Sequence, residues 1–246
     1  LKAAIGKEAE RMHTAHKHSD YYTRKSARLL RQFDRHFVRA TRRLAHHHGE
    51  ELAAELTAET RRRFEQIIPE LPYIGGSANY FTPVMVINGW LVSLHRAMAE
   101  RGLSAEDTAR VAFEATDDFF SSKPQWLLRL FGRLAFTGPV RRAFERQASR
   151  SQQRRYPGDF VYEIEADSHG HLAMVFSECA INKFYTDQGV EELAPWCNFF
   201  DVSYSRLMGM GLDANTTIGQ GCDHCRLDYC HGRATRIPPL VAQLER

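Results

Sequence analysis

Cys179, Cys197, Cys222, Cys225 and Cys230 are the only cysteines of this chain, and all five fall in its last 68 residues. A thiolate can attack electrophilic carbon or bind a metal ion, and either use requires several side chains to be brought together. Cys222 and Cys225 form a C-x-x-C, with Cys230 five residues on and His224 and His231 beside them. Thiolate and imidazole at this spacing suit tetrahedral zinc, so Cys222, Cys225 and Cys230 are a candidate zinc set. A second C-x-x-C is absent, and Cys179 or Cys197 would have to complete the ligands. Otherwise no cofactor is expected. An odd cysteine count and the lack of an export signal argue against a disulfide scaffold.

Cys197 and Asp201 are four residues apart on a predicted helix and share one face. The carboxylate could orient water or bind an ammonium-like group, though as a like charge it raises the thiol pKa. Cys179 sits where a strand ending near Ser177 meets the next helix. A helix N-terminus favours thiolate, which makes Cys179 the best-placed nucleophile, with Glu178 opposing the effect. The alternative for each cysteine is a small buried hydrophobe. His95 lies on an apolar helix and could act as acid or base or simply pack. Trp90, Phe113, Phe119 and Phe120 could line a pocket or fill a core. His13 and His16, at helical spacing, read as part of a solvated polar face.

These residues need elements to hold them. Leu29, Leu30, Phe33 and Phe37 recur at helical spacing, with an arginine series on other faces. Leu52 to Ile68 predict a second helix, stopped by Pro69 and Pro72. Residues 83–101 form the most apolar helix. Ser104 with Asp107 three residues on is a capping signal for another. Further helices cover about 124–136 and 138–153. Past Tyr156–Pro157–Gly158 the period changes to two: Phe160, Tyr162 and Ile164, then Leu172, Met174 and Phe176, joined by the turn signal Asp167–Ser168–His169–Gly170. Residues 179–188 and 190–208 read as helix, and 212–230 as two short strands. The fold class is α+β, a helical N-terminal half packed on a small antiparallel sheet with helices in the C-terminal half. Residues 1–72 form a helical segment and 73–246 an α+β domain, read together as one continuous unit.

With 43% hydrophobic residues the chain can fill a core, which excludes a disordered or collagen-like protein. The longest apolar run is interrupted by Asn88 and Gly89, too short to span a bilayer. The charged N-terminus lacks a signal sequence, so a soluble, cytoplasmic protein with no membrane partner is expected. The chain begins at Leu1 and not Met, and a short leader ahead of it is a further expectation. Residues 1–155 carry 27 Lys and Arg against 17 Asp and Glu, whereas 156–246 carry 6 against 13. Such a split can mark a nucleic-acid-binding half, but no nucleic-acid motif accompanies it and no such partner is expected. The arginine-rich first helix, with little obvious core to cover, suggests subunit contact in a homo-oligomer.

One series in the last third carries a resemblance: Cys179, Tyr185, Gly189, Leu193, Cys197, Asp201, Thr217-Ile218, and the Gly221-x-x-x-Cys225 turn followed by Tyr229. In order and spacing it resembles the L-2-amino-thiazoline-4-carboxylic acid hydrolase family. Leu227 departs from the pattern, and Cys222 and Cys230 are additions. The resemblance implies hydrolytic opening of a thiazoline, a small cyclic amidine, at a C–S or C–N bond. Two mechanisms fit it. One is attack by a cysteine, with Cys179 the favoured nucleophile, Cys197 a further catalytic candidate and Asp201 positioning the amidinium or activating water. The other is hydroxide generated on a metal held by cysteines. Tyr185, His224, Cys225 and Arg226 are the candidate substrate-binding residues, Arg226 as a bidentate partner for a carboxylate. Similar turns occur in vinyl-reductase-like small-molecule-binding domains. The alternative is therefore a non-catalytic binding module with structural or zinc-binding cysteines.

Overall fold

The computed structural model describes residues 20–166 and 170–245. His13, His16 and the turn residues Asp167, Ser168 and His169 lie outside the described residues. Helices α1 (Ser26–His36), α2 (Val38–His48) and α3 (Glu50–Ile67) open the described chain. A short 3-10 turn and a loop lead to α4 (Thr82–Ala99), followed by α5 (Ala105–Ser121), α6 (Gln125–Ala135) and α7 (Gly138–Ser151). Strands β1 (Val161–Ala166) and β2 (His171–Glu178) precede α8 (Ala180–Gln188) and α9 (Phe199–Met208). β3 (Leu212–Thr216), β4 (Cys225–Cys230) and the short α10 (Pro239–Gln243) complete it. The α+β class read from the sequence is the one observed.

Local chemistry explains several boundaries. Pro83 sits in the first turn of α4, where its missing N–H costs nothing. The Ser104 hydroxyl accepts from the Asp107 N–H while the Asp107 carboxylate accepts from the Ser104 N–H, the reciprocal cap expected from the sequence. Two readings change. The first helix is interrupted at Phe37 and continues as α2. It also covers core: Leu29, Phe33 and Phe37 are buried, and the Phe33 ring lies 5.7 Å from Phe64 and 5.9 Å from Trp90. The single helix expected over 190–208 is instead a 3-10 stretch, Glu191–Trp196, containing Pro195, and then α9. That break places Cys197 and Asn198 at a helix entrance.

The sheet is antiparallel throughout, in the order β1-β2-β4-β3. Its register sets Tyr162 opposite Phe176 and Phe176 opposite Cys225, and Ile164 opposite Met174 and Met174 opposite Leu227. Alternation then sends Cys225, Leu227 and Tyr229 to the inner face, leaving Arg226, Asp228 and Cys230 on the outer one. One hydrophobic core runs from Tyr22 to Leu244 through both halves of the chain. Among the described residues no helix is long and apolar enough to cross a membrane.

α6 packs on the end of α9 through Leu128 and Gly132. A Cβ at Gly132 would stand 2.1 Å from the Met208 carbonyl oxygen, a backbone atom that cannot swing aside. Gly132→Ala is expected to destabilise the protein by about 1–3 kcal/mol, the range for forced overpacking. Urea denaturation of the variant checks this, with an unchanged midpoint contradicting the tight approach.

Candidate active site

Cys179, Cys197, Asp201 and Cys225 line a single cavity of about 480 Å³, bounded by α4, the inner face of the sheet and the entrance of α9. Its walls are mostly aromatic and aliphatic, with Phe160, Leu172, Met174, Phe176 and Leu227 from the sheet side and Val84, Ile87 and Leu91 from α4. The polar groups on the wall are Tyr80, Asn88, Asn198, Tyr204, Thr217 and Tyr229 besides the cysteines and Asp201. No Lys, Arg or His is among the described lining residues.

Cys225 opens β4, and the turn before it folds back so that the Ile218 N–H donates to its Sγ at 3.1 Å. Cys179 lies against the same sulfur, and because Cys225 already accepts the Ile218 N–H, the proton shared by the pair is favoured on Cys179. These two donors stabilise the thiolate and hold the Cys225 pKa below its ordinary value, against burial and the Asp201 charge. Cys179 is pushed the other way, by its hydrogen bond to Cys225 and by burial. The helix N-terminus expected to activate Cys179 is present, since Cys179 caps α8. Donation to Cys225 and loss of water outweigh it. Cys197 is raised above its usual range by burial, with Cys225 and Asp201 adding to the effect. It remains a neutral thiol. What accessibility Cys197 and Asp201 retain is to the hollow they line.

Asp201 stands in the first turn of α9, where the helix dipole favours an anion. Burial wins, and its carboxyl is pushed up to about 6, with a hydrogen bond from Tyr204 partly opposing. Tyr204 and Tyr229 hydroxyls lie 2.5 Å apart. A carboxylate only accepts, so Tyr204 gives its one proton to Asp201 and receives that of Tyr229. Asn198 donates through Nδ2 to the Ala214 carbonyl at 2.9 Å and thereby ties the α9 entrance to β3. Asn198 and Thr217 both line the cavity, and Asn198 Oδ1 and Thr217 Oγ1 are buried without a partner among the described residues. Such orphaned groups cost free energy unless something in the cavity satisfies them. Gly219 is required here. A Cβ on it would meet the Ala194 carbonyl oxygen at 2.1 Å and Cys197 Sγ at 3.2 Å, so only glycine lets the turn that serves Cys225 close over Cys197.

Other residues singled out from sequence stand elsewhere. Tyr185 is buried behind the wall, where its hydroxyl donates to Asn88 Oδ1 at 2.5 Å and fixes the amide that does face the cavity. His224 is exposed in the turn. Arg226 lies on the outer face of β4, where it pairs with Asp228 at 2.8 Å and Glu165 at 2.9 Å. Strand alternation sends it away from Cys225, so it does not bind a carboxylate in this cavity. Cys222 is exposed, Cys225 is buried, and Cys230 ends β4 about 17 Å further on, on the opposite face. The three cannot share one ion. Among the described residues no group of three His, Cys, Asp or Glu is placed to hold a metal. His95 is held by Thr108 and by Glu192, at 2.7 Å from its Nε2, away from the cavity. Phe120 lines the cavity and Phe113 is core, whereas Trp90 and Phe119 line a neighbouring apolar groove. Tyr204 and Tyr229 were legible as partners in principle, one on the Asp201 face of α9 and the other on the Cys225 face of β4.

Two measurements follow from this geometry. Iodoacetamide mapped by mass spectrometry across pH is expected to label Cys225 at lower pH than Cys179 or Cys197, and Cys179→Ala to move the Cys225 profile upward. Asp201 ionises in the folded state near 6 but near 3.9 when unfolded, so its contribution to stability is full below about pH 4 and is lost as pH rises through 6. Asp201→Asn should therefore be more stable than the native protein above pH 6, by on the order of 2 kcal/mol, in denaturation curves taken at several pH values.

The family comparison agrees with where these residues lie. Residues 85–229, more than half of the chain, match the model of the L-2-amino-thiazoline-4-carboxylic acid hydrolase family, a span that contains Asn88, all four converging side chains and the tyrosine pair. No curated protein and no solved structure matches the chain. On the strength of that match, the chain belongs to the L-2-amino-thiazoline-4-carboxylic acid hydrolase family.

Proposed function

We propose that the protein is a hydrolase that opens a small cyclic amidine-like ring at a C–S or C–N bond, with Cys225 as nucleophile and Asp201 as general base. The observation that carries this reading is geometric: Cys225, whose Sγ accepts the Ile218 N–H at 3.1 Å, shares the wall of one apolar cavity with the carboxyl of Asp201. These surroundings lower the thiol pKa and push the carboxyl up to about 6. Opposite displacement of two neighbouring groups from their ordinary values is the arrangement that acid–base and nucleophilic chemistry needs near neutral pH. The family description supports a hydrolase acting on a thiazoline.

The chemistry is then as follows for a thiazoline. The Cys225 thiolate attacks the ring carbon between nitrogen and sulfur, made electrophilic by protonation of the amidine. The ring C–S bond breaks, and the leaving sulfur takes the amidinium proton. An isothiourea-like adduct remains on Cys225. Asp201 removes a proton from an incoming water, which bonds to the same carbon, and that proton passes to the imine nitrogen. The new C–OH becomes a carbonyl, Cys225 leaves as thiolate, and the hydroxyl proton reaches solvent through Asp201. Cys179 restrains the thiolate by its hydrogen bond before attack and after release. We assign to Cys225 the role that the sequence suggested for Cys179, which lines the same cavity, on the ground that the Ile218 N–H is donated to Cys225.

The cavity also speaks to the substrate. Asp201 is the one carboxyl on its described wall and no cation accompanies it. A cationic amidinium is matched there, whereas a carboxylate would enter an apolar space with no Arg or Lys to receive it, a cost of several kcal/mol for an unpaired buried charge. The preferred substrate therefore carries an apolar substituent in place of the carboxylate.

Three outcomes test the reading. Cys225→Ser should lower kcat by about 10³-fold or more and Asp201→Asn by about 10²–10⁴-fold, both with intact folding by circular dichroism. The native pH–rate profile should rise through about pH 6 as Asp201 ionises. An alkyl-substituted 2-aminothiazoline should exceed the 4-carboxylate in kcat/KM by at least ~10-fold, from the unpaired-charge cost. Turnover that survives both substitutions would remove this site. Ligand binding in the cavity with no turnover would favour the small-molecule-binding module instead.

A further inference from the structure

α6 carries an apolar face that the rest of the protein leaves bare. Leu128 and Gly132 form its buried stripe against α9. Trp126, Leu130 and Leu134, four residues apart, form a second stripe, and Phe131 a third. These side chains are 69%, 44%, 43% and 53% exposed. Large apolar residues grouped in this way on one short helix are unusual on a water-facing surface. Arg129 and Arg133 form the remaining stripe and border the bare face on one side.

Charge is concentrated in the same segment. From Ser121 to Arg155 there are nine Lys and Arg and one acidic residue, Glu145. The first 120 residues, by contrast, carry 18 Lys and Arg against 16 Asp and Glu. Many of those arginines are paired, as Arg43 is with Asp118 and Arg61 with Asp34. The basic excess of the N-terminal half thus resides largely in α6, α7 and the residues that follow. Arg142, Arg146 and Arg150 recur every four residues along α7 and are exposed, as are Lys123 and Arg155, whereas Arg154 pairs with Glu178.

We propose that the α6–α7 segment binds the surface of an anionic lipid bilayer, with Trp126, Leu130, Phe131 and Leu134 in the acyl boundary and the surrounding cations on lipid phosphates and carboxylates. An amphipathic helix with aromatic and leucine side chains on one face and arginine on its flank lies in the interface plane without spanning it. The expectation of no membrane partner rested on the lack of a spanning segment, which interfacial binding does not require. Charge decides between occupants. A second copy of this chain docked on the same face would bring like cations together, and a nucleic acid would leave the four apolar side chains unmatched. Acidic lipid satisfies both the apolar and the basic parts. The inner sides of the same helices supply Ala135 and Phe144 to the cavity wall, and exposed Tyr80 stands beside Phe144 with ring centroids 6.0 Å apart. An apolar substrate dissolved in the bilayer would thus meet the protein close to its cavity.

Co-sedimentation with phosphatidylcholine vesicles, with and without phosphatidylserine, tests this. The full chain should pellet with the phosphatidylserine vesicles at least ~10-fold more strongly, and the difference should shrink as salt is raised. Trp126→Ser with Phe131→Ser should abolish pelleting on both vesicle types. Arg142→Glu with Arg146→Glu should remove the preference for phosphatidylserine. Melting curves verify that each variant folds, and brominated lipid should quench tryptophan fluorescence in the native protein but not in Trp126→Phe. Equal or absent binding to the two vesicle types overturns the proposal. So does a dimer that the Trp126→Ser/Phe131→Ser variant converts to monomer, or duplex DNA bound with lipid affinity unchanged by the apolar substitutions.

Discussion

A thiolate inside an apolar enclosure is an expensive species, and the arrangement around Cys225 is governed by the need to make it tolerable. Burial alone would keep every thiol in the cavity protonated, as it does at Cys197. Two donors reverse that balance at one sulfur: the Ile218 N–H, from a turn that can close only because residue 219 is glycine, and the thiol of Cys179. The same hydrogen bond that stabilises charge on Cys225 suppresses it on Cys179. The pair is asymmetric, and that asymmetry is the reason Cys225 is proposed as the nucleophile.

The meeting of the two sulfurs follows from how the second half of the fold is arranged. Cys179 follows directly on β2, and β2 is hydrogen-bonded to β4, which begins at Cys225. The register that puts Phe176 opposite Cys225 therefore brings the end of one strand to the start of the next, and the two sulfurs with them. A slip of one residue would turn Cys225 outward and present Arg226 to the cavity. Burial of Leu227 and Tyr229 on the same side makes such a slip costly, so the apolar core and the reactive pair are set by one register.

Sequence carried much of this, though unevenly. Period-two alternation identified the inner faces of β1 and β2, and helical spacing with caps identified α4 and α5, because those signals are local. The convergence of Cys179, Cys197, Asp201 and Cys225 was legible only as a resemblance in order and spacing. Nothing local relates residues nearly fifty positions apart. The direction of proton sharing between Cys179 and Cys225 was not legible at all, since it depends on a backbone N–H from a turn seven residues away in sequence. Arg226 was misplaced for a simpler reason. Its residue type suited a carboxylate, but its parity along β4 fixes it on the face opposite Cys225.

The lining of the cavity bears on how the family description applies to this chain. A site built for a carboxylate would place an arginine or lysine where the wall here has leucine, methionine and phenylalanine. The polar groups that remain are of a different kind: a carboxyl held near 6, a tyrosine chain behind it, and two oxygens, of Asn198 and Thr217, that accept or donate single hydrogen bonds. On the proposed reading these groups would meet an amidinium and its ring nitrogens, which offer donors and positive charge. The rest of the 480 Å³ is apolar and larger than a five-membered ring alone would fill. On the reading proposed above, reaction class and substrate periphery would be set by separate parts of the cavity, the sulfur–carboxyl side carrying the ring opening and the aromatic side selecting what the ring carries.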